Sequence, residues 1–396
     1  MSGPMPPQPL PRVAPFRIDI PQSELDELRR RILATRWPDR MADDWSLGTA
    51  PDQLRRLLEH WGGAYDWRAA EARLNAIPQV QVTVPLPVPL PGLVSGSVPE
   101  PMPDAAGIRV HALRAGTPGA TPLLLIHGWP DSVIRFEQAL PLIAERFDIV
   151  VPSIPGYGFS EIPAQAFGPT AVADAFAGLM SALGHDRFVV HGADIGSSIA
   201  QQLALRHPDR VSALHLGEVP LRMVRTLDPA DLDDAERELL GRLQAWDLAE
   251  GAYSHLQRTK PQTLAASLND SPAGLASWML EKFQAWSDCD GDVFSRFSLD
   301  DLCTNLTIYW VTQTAGSAGR YYANTRLDTF DNSRVSAPTG AALFPKDILV
   351  APQRTAERWF NVQRWTEMPA AGHFGPWEEP QAWADELIAF ADQVGV

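Results

Sequence analysis

Short β-rich runs alternate with helix-like segments from Gly107 onward, and this alternation constrains the fold more than any other feature of the chain. In chain order the runs are "IRVHAL", "PLLLIHG", "FDIVVPS", "RFVVHG" and "VSALHLG". Apolar strands separated by helices are typical of a parallel sheet that is covered on both faces. After Pro220 the pattern becomes helical, and strand-like runs return at "TGAALFP" and "QRWTEMP". The sequence therefore predicts an α/β core with an inserted helical cap.

The region before this core predicts helices and then a proline-rich segment. Apolar residues recur at helical spacing in "QSELDELRRRIL", where Ser23 is placed as an N-cap, and again in "PDQLRRLLEHW" and "DWRAAEARLNAI". From Val84 to Pro103 alternate prolines remove backbone donors, so we expect a surface loop, with a flap over a pocket or a subunit contact as alternatives. The predicted divisions are an N-terminal helical extension with this proline-rich insertion (1–103), the first part of the core (104–220), the cap (221–335) and the second part of the core (336–396).

The overall charge and composition narrow the classes of partner and location. The chain has 396 residues and a formal net charge of -15, which repels phosphate backbones and anionic headgroups, so we expect neither nucleic acid nor a membrane as partner. A neutral small molecule suits this charge better. Cys289 and Cys303 are too few for a disulfide framework, and no apolar stretch is long enough to cross a bilayer. The N-terminus also lacks a basic segment followed by an apolar run, and we therefore expect a cytoplasmic protein.

A tight turn between a predicted strand and a predicted helix places a carboxylate at its apex. The residues are Gly192-Ala193-Asp194-Ile195-Gly196. Small residues around a central side chain are typical of a nucleophile elbow, which exposes that side chain above the sheet. The helix N-terminus favours the ionised, nucleophilic form of Asp194. On these five residues alone, a helix N-cap after a turn is an equal alternative.

Three further segments favour the nucleophile. The strand "LLLI" ends in "HGWP", where the amide of Trp129 is placed to pair with that of Ile195 as an oxyanion hole. Downstream, Asp347 follows a strand and His373 lies in a glycine-bounded loop before the last helix. Nucleophile, acid and histidine then occur in the order that α/β-hydrolases use.

With these residues in place, the sequence resembles the epoxide hydrolases of the α/β-hydrolase fold. It is most similar to the branch of microsomal epoxide hydrolase, which has an N-terminal helical extension. The matching segments cover most of the chain outside 84–103, and include "PFRIDIPQSELDELRRRILATRWPD", "HGWP", "IPGYGFS", "GADIG", "GAYSHLQRTKPQTLAASLNDSPAGLASWMLEKF", "SLDDLCTNLTIYW", "RYYANT", "PTGAALFPKDI" and "GHFGPWEEP". The resemblance implies an α/β-hydrolase fold with a mostly parallel central sheet flanked by helices.

The same resemblance implies a role for each matching residue. Asp194 is the expected nucleophile, His373 the general base and Asp347 the acid that orients it. Tyr253 and Tyr322 are the expected cap tyrosines that hold the epoxide oxygen. The implied reaction converts a small hydrophobic epoxide and water into a vicinal diol through an ester of the nucleophile, with no metal or organic cofactor.

Substrate contacts and one tyrosine assignment are less constrained. We expect Trp129, Ile195 and Phe374 to contact the substrate. Ile195 stands where relatives commonly have tryptophan, so substrate preference transfers less well than mechanism. Tyr321 is a direct rival of Tyr322, because adjacent helical residues point in different directions.

Several alternatives remain open at this point. Haloalkane dehalogenases also use an aspartate nucleophile, but with Ile195 after it one expected halide donor is missing. A catalytically silent homologue that binds a hydrophobic ligand would be expected to lose a member of the site, and none is missing. Alternating Asp288, Asp290 and Asp292 lack full calcium-loop spacing and predict an acidic surface loop. A homodimer through the cap or the proline-rich segment is a further hypothesis.

Overall fold

A nine-stranded mixed sheet organises the molecule, for which the computed structural model describes residues 12–85 and 107–396. Its strands are β1 (Arg12–Pro15), β2 (Gln79–Val84), β3 (Ile108–Gly116), β4 (Thr121–Ile126), β5 (Phe147–Pro152), β6 (Phe188–Gly192), β7 (Val211–Leu216), β8 (Pro338–Leu343) and β9 (Asn361–Glu367). The spatial order is β1-β2-β3-β5-β4-β6-β7-β8-β9. Pairing is antiparallel from β1 through β3 to β5 and parallel from β5 to β9. The predicted α/β-hydrolase fold with a mostly parallel sheet is confirmed.

Helices cover the sheet and form the cap. Those of the N-terminal extension are α1 (Gln22–Leu33), α2 (Pro51–Gly62) and α3 (Trp67–Asn75). Those of the first part of the core are α4 (Leu140–Ile143), α5 (Pro169–Ala182) and α6 (Ile195–Arg206). Between β7 and β8 lie α7 (Leu221–Val224), α8 (Asp234–Ala249), α9 (Ala252–Thr259), α10 (Pro261–Asp270), α11 (Pro272–Ala285), α12 (Leu299–Val311) and α13 (Ala315–Asn324). The chain ends with α14 (Gln353–Glu357), α15 (Gly375–Glu378) and α16 (Pro380–Val394).

The inner strands are apolar because both faces of the sheet are covered. Every residue of β5 and of β6 is buried. Helix α6 packs on β6 and β7, and α16 packs on β7 and β8. The carboxyl ends of β4, β6, β7 and β8 therefore meet along one edge, where the loops that follow these strands can bring distant residues together.

The N-terminal extension is more than the helical segment that we expected. Its strands β1 and β2 add to the antiparallel edge of the sheet, and β2 pairs with β3 over its whole length. Helices α1 and α2 pack on the cap helices α11 and α12. The indole Nε1 of Trp61 donates to Oγ1 of Thr307 at 2.8 Å, which joins α2 to α12. The extension thus spans core and cap.

One local prediction in the extension is wrong, and another lies mostly outside the described residues. Helix α1 begins at Gln22 with Pro21 at the N-cap and no side-chain cap, so the prediction of Ser23 as N-cap is wrong. Proline before the helix has the extended backbone that the entry to a helix requires, and this replaces a capping side chain. In the proline-rich insertion, Val84 ends β2, and 86–103 lies outside the described residues. Among the helices described, none is both long enough and apolar enough to cross a membrane.

Candidate active site

Asp194 lies at the apex of a strained turn between β6 and α6. Its φ of 55° and ψ of -129° are outside the regions that ordinary L-residues prefer. Close packing around the turn explains the flanking glycines: a Cβ atom on Gly196 would lie 2.4 Å from the carbonyl oxygen of Ile126. A Cβ atom on Gly128 would lie 2.4 Å from the Cβ of Asp194 itself. The turn holds the Asp194 carboxylate in one place, as a nucleophile elbow does.

The two carboxylate oxygens of Asp194 have different neighbours. The backbone amide of Trp129 donates to Oδ1 at 2.8 Å. The other oxygen, Oδ2, lies 3.4 Å from Nε2 of His373. The opposite ring nitrogen of His373, Nδ1, lies 2.7 Å from Oδ1 of Asp347. The structure thus brings the three predicted side chains together, whereas the Ile195 amide makes no hydrogen bond to Asp194 within the described part of the chain.

His373 is buried between two carboxylates, and this sets its charge. Its side chain is 1% exposed. Burial alone would lower the pKa of His373, but the charges of Asp347 and Asp194 and their hydrogen bonds raise it well above 6.5. With Asp194 ionised, His373 is therefore an imidazolium at neutral pH.

Two of the cap tyrosines share the space next to Trp129. The ring centroids of Tyr253 and Tyr322 are 6.0 Å apart. Tyr253 stacks on Trp129 at 5.2 Å with an interplanar angle of 6°, and Tyr322 meets the same indole edge-on at 5.9 Å. Burial raises the pKa of Tyr253 and of Tyr322, so both phenols stay protonated and can donate.

Tyr321 has different surroundings from Tyr322. Its ring packs edge-on against Tyr157 at a centroid distance of 6.1 Å. Its hydroxyl is buried and has no hydrogen-bond partner among the described residues. The structure therefore brings Tyr322, and not Tyr321, next to Tyr253.

The chain is similar to known proteins along nearly its whole length. Residues 13–136 match the family described as "Epoxide hydrolase N terminus", and residues 121–380 match the "alpha/beta hydrolase fold" family. A putative epoxide hydrolase of Stigmatella aurantiaca is 36% identical over 95% of this chain and 84% of its own length. Epoxide hydrolase 1 of Sus scrofa is 30% identical over 96% of this chain and 88% of its own length. This chain belongs to the epoxide hydrolase family.

Solved structures of epoxide hydrolases share the whole architecture. The juvenile hormone epoxide hydrolase of the silkworm Bombyx mori superimposes with a TM-score of 0.80 at 26% identity, covering 97% of this chain and 94% of its own. The epoxide hydrolase of Aspergillus niger gives a TM-score of 0.77 at 27% identity, covering 96% of both chains. The similarity includes the extension and the cap as well as the core.

In this member of the epoxide hydrolase family, a cavity of about 270 Å³ connects the core residues to the cap. Asp194 and Ile195 line it from the core, and Tyr253, Tyr321 and Tyr322 line it from the cap. Nucleophile and phenols therefore share one cavity. The predicted contact of Ile195 with a ligand in this cavity is consistent with its position.

The other two predicted substrate contacts, Phe374 and Trp129, stay predictions, and both rings are buried. Phe374 is fully buried and stacks on Phe283 at a centroid distance of 4.5 Å. The indole of Trp129 is 1% exposed and is covered by Tyr253. Neither ring lies on the cavity wall formed by the described residues. Both pack in the core around the site, and Trp129 reaches Asp194 through its backbone only.

Glu218 is a buried carboxyl group of the site that the sequence motifs did not identify. It follows β7, and its Oε2 lies 3.7 Å from Nδ1 of His373. Burial and the nearby charges of Asp347 and Asp194 raise the pKa of Glu218 to about 8. At neutral pH Glu218 therefore retains its proton. The sequence did contain a signal for Glu218. In "HLGE" this acid stands at the carboxyl end of β7, the strand beside the one that leads to Asp194.

A buried ion pair and a second carboxylate hold the loop of His373, and sequence reasoning missed both. Arg135 pairs with Asp131 and donates to the carbonyl oxygen of His373 at 2.5 Å. Glu378 accepts hydrogen bonds at 3.1 Å from the amides of Gly372 and Phe374. The ion pair could have been predicted from the sequence, because Asp131 and Arg135 are spaced at i and i+4.

Two acidic clusters have explanations other than a metal ion. Ligand atoms of Glu218, Asp347 and His373 lie within 4.8 Å of one another. The contact between His373 and Asp347 is a hydrogen bond, and Glu218 is protonated at neutral pH, so proton sharing accounts for this cluster. In the predicted acidic loop, Asp288 accepts from the side chain of Arg296, and Asp292 accepts from a backbone amide two residues on.

Proposed function

We propose that this epoxide hydrolase opens its substrate through a covalent ester of Asp194. The observation that carries the proposal is the unequal environment of the two Asp194 oxygens. Oδ1 is held by the Trp129 amide, whereas Oδ2 lies 3.4 Å from Nε2 of His373, and Asp194 lines the cavity that it shares with the phenols. One oxygen can therefore attack while the other remains anchored.

In the first step, Oδ2 of Asp194 attacks one ring carbon and the carbon–oxygen bond of the ring breaks. The hydroxyls of Tyr253 and Tyr322 donate to the ring oxygen, and one of them transfers its proton as the alkoxide forms. A carboxylate suits this step better than a serine would, because it gives an ester and not an ether. Water can then cleave the ester.

In the second step, His373 takes a proton from water, and the resulting hydroxide attacks Cγ of Asp194. The hydrogen bond of Nδ1 to Asp347 orients the ring and stabilises the imidazolium that forms. Negative charge develops on Oδ1, where the Trp129 amide already donates, and the Ile195 amide is the proposed second donor. The diol leaves, and the Asp194 carboxylate and the His373 imidazolium beside it are both restored.

The charge of His373 changes in step with the reaction. The Asp194 carboxylate contributes to the raised pKa of His373 through a hydrogen bond and through its charge. Ester formation removes that negative charge, which lowers the pKa of His373 and favours release of its proton through solvent to the phenol that has protonated the alkoxide. The histidine thus becomes a base only after the nucleophile has reacted.

Rapid quenching with intact-mass measurement tests the proposal. On mixing with hexene oxide, a neutral terminal epoxide, we expect a transient protein species heavier by one substrate mass, located to the peptide that contains Asp194. Asp194→Ala should form neither this species nor diol. An adduct on a different peptide, or diol formation by Asp194→Ala at the wild-type rate, would contradict the proposal.

Haloalkane dehalogenation and silent ligand binding are not favoured, because the matching families and relatives described above are epoxide hydrolases. Release of halide from a chloroalkane would indicate haloalkane dehalogenation. The cytoplasmic location and the homodimer stay predictions from the sequence.

A further inference from the structure

The cavity wall carries positive charge that a neutral substrate does not need. Four arginines line it: Arg222, Arg225, Arg258 and Arg326. Arg225 is paired with Asp247. The other three form no salt bridge with any residue in 12–85 or 107–396. Arg222 and Arg258 are partly buried, whereas Arg326 is exposed. Holding a partly buried cation without a counter-charge is costly, so the presence of Arg222 and Arg258 on the cavity wall indicates a ligand of opposite charge.

Arg222 is the most constrained of these cations. Its guanidinium donates to Oδ1 of Asn332 at 2.7 Å and to the side chain of Gln201, and it lies 3.9 Å from the centroid of the Phe330 ring. All three partners are neutral. Its Nε is buried and has no hydrogen-bond partner in the described residues. Burial lowers the pKa of Arg222 to about 10, which still leaves it charged at neutral pH.

The other two unpaired arginines follow the cap tyrosines along the chain. Arg326 comes four residues after Tyr322, and Arg258 comes five residues after Tyr253 on α9. On α9 this spacing corresponds to about 7.5 Å along the helix axis, whereas Arg326 lies in the turn that follows the end of α13 at Asn324. A ligand whose oxygen reaches the phenols therefore has one cationic side chain roughly one helical turn away on α9 and a second one just beyond α13.

The carboxyl groups near this cavity are already occupied. Asp194 faces the imidazolium of His373, and Glu218 holds a proton at neutral pH. Asp328, whose charge acts on Arg222, accepts hydrogen bonds from the amide and hydroxyl of Thr170. The cavity is thus locally positive although the whole chain carries -15. Local charge, and not net charge, decides what a cavity attracts.

We propose that the substrate is a compact epoxide that bears a carboxylate, which Arg222, Arg258 and Arg326 hold while the phenols hold the ring oxygen. A guanidinium matches the two oxygens of a carboxylate with parallel hydrogen bonds. The volume of about 270 Å³ is at the small end of ligand pockets, which favours a short molecule. This inference names the substrate class of the proposed hydrolysis and rests on that function.

A binding experiment tests the anion site without any turnover. Calorimetry compares hexanoate with hexanamide, its neutral isostere, on the wild-type protein. We expect hexanoate to bind at least about 10-fold more tightly, and the preference to weaken at high salt. Arg222→Gln should remove most of the preference, and Arg222→Lys should retain part of it. Arg237→Gln, an exposed change of equal charge on α8, should leave the preference unchanged. Equal affinity for both ligands would overturn the inference.

A turnover experiment separates this inference from the proposed function. The probes are hexanoic acid with a terminal epoxide, the corresponding amide, and hexene oxide. We expect kcat/KM for the acid to exceed that for the amide by at least about 10-fold, and the ratio to fall towards one in Arg326→Gln, an exposed position that should not impair folding. Turnover of the neutral probes with no preference for the acid would overturn the inference alone. Selective binding of hexanoate without hydrolysis of any probe would overturn the proposed function and leave the anion site standing.

Discussion

The core side and the cap side of the cavity are built differently. On the core side, the Trp129 amide donates to Asp194 at 2.8 Å and Nδ1 of His373 lies 2.7 Å from Asp347. Nε2 of His373 lacks a hydrogen-bond partner in the described part of the chain, but it faces the Asp194 carboxylate at 3.4 Å. On the cap side, the Nε of Arg222 and the hydroxyl of Tyr321 are buried without hydrogen-bond partners among the described residues. Polar groups that are satisfied within the protein fix a geometry, whereas unsatisfied groups await a ligand. The core therefore fixes the reaction, and the cap is the place where substrate preference can vary.

Replacing the core base should separate the two chemical steps and gives the largest expected effect. In His373→Gln we expect Asp194 to be alkylated but the ester to persist, because no group remains to activate water. Steady-state turnover should fall by about 10³-fold or more. Intact mass after mixing with hexene oxide measures the adduct, and His255→Gln on the exposed face of α9 is the control. Loss of the adduct together with turnover would break the division between the steps.

Replacing the phenols of the cap should slow the first step and spare the second. Tyr253→Phe and Tyr322→Phe remove the donors to the ring oxygen, so we expect alkylation to slow by about 10²-fold in each, with hydrolysis of the ester unchanged. Single-turnover kinetics measures both rates. Tyr321→Phe should have a smaller effect, because its ring packs away from Tyr253. A larger effect at Tyr321 than at Tyr322 would reverse the assignment.

Replacing Glu218 should give the smallest effect, which we expect in the free energy of unfolding. Its pKa of about 8, against an ordinary 4.5, means that the folded state keeps a proton that the unfolded state has lost between these values. The free energy of unfolding contributed by this group therefore falls as pH rises from 4.5 to about 8. Glutamine does not titrate, so the stability of Glu218→Gln lacks this dependence on pH.

Urea unfolding at pH 5 and pH 8 measures the difference. We expect Glu218→Gln to gain stability relative to the wild type between these two pH values by on the order of 1 to 3 kcal/mol. The exposed Glu238→Gln should show no such change. A constant difference between Glu218→Gln and wild type at both pH values would mean that Glu218 is ionised throughout, which would add a negative charge to the core side.

The sequence predicted the core side better than the cap side for a physical reason. Asp194 and His373 lie in short segments whose glycines are required by close packing against neighbouring backbone, so a local sequence pattern marks both positions. The proximity of Glu218 to His373 depends instead on the order of β7, β8 and β9 in the sheet, because Glu218 follows β7 and His373 follows β9. The unpaired arginines come from separate elements, so their convergence on one cavity has no local signature.

The edge strands were missed for two further reasons. In β1 a short stretch ends in Pro15, and proline weakens any strand pattern. In β2 the alternation of "QVQVTV" was a usable signal, but the preceding helices favoured a wholly helical extension. Phe374 was also expected to contact the substrate, but adjacent residues point in different directions and its ring lies away from the cavity. Its burial depends on packing against Phe283 in the cap.

The covalent role of Asp194 is tested most directly by oxygen-18 water. With enzyme in excess over a terminal epoxide, each Asp194 reacts once, so the first diol carries an oxygen that came from the carboxylate. The account predicts unlabelled diol and one heavy oxygen in the peptide that contains Asp194. Labelled diol with an unlabelled Asp194 peptide would mean that water attacks the ring directly, and would contradict it.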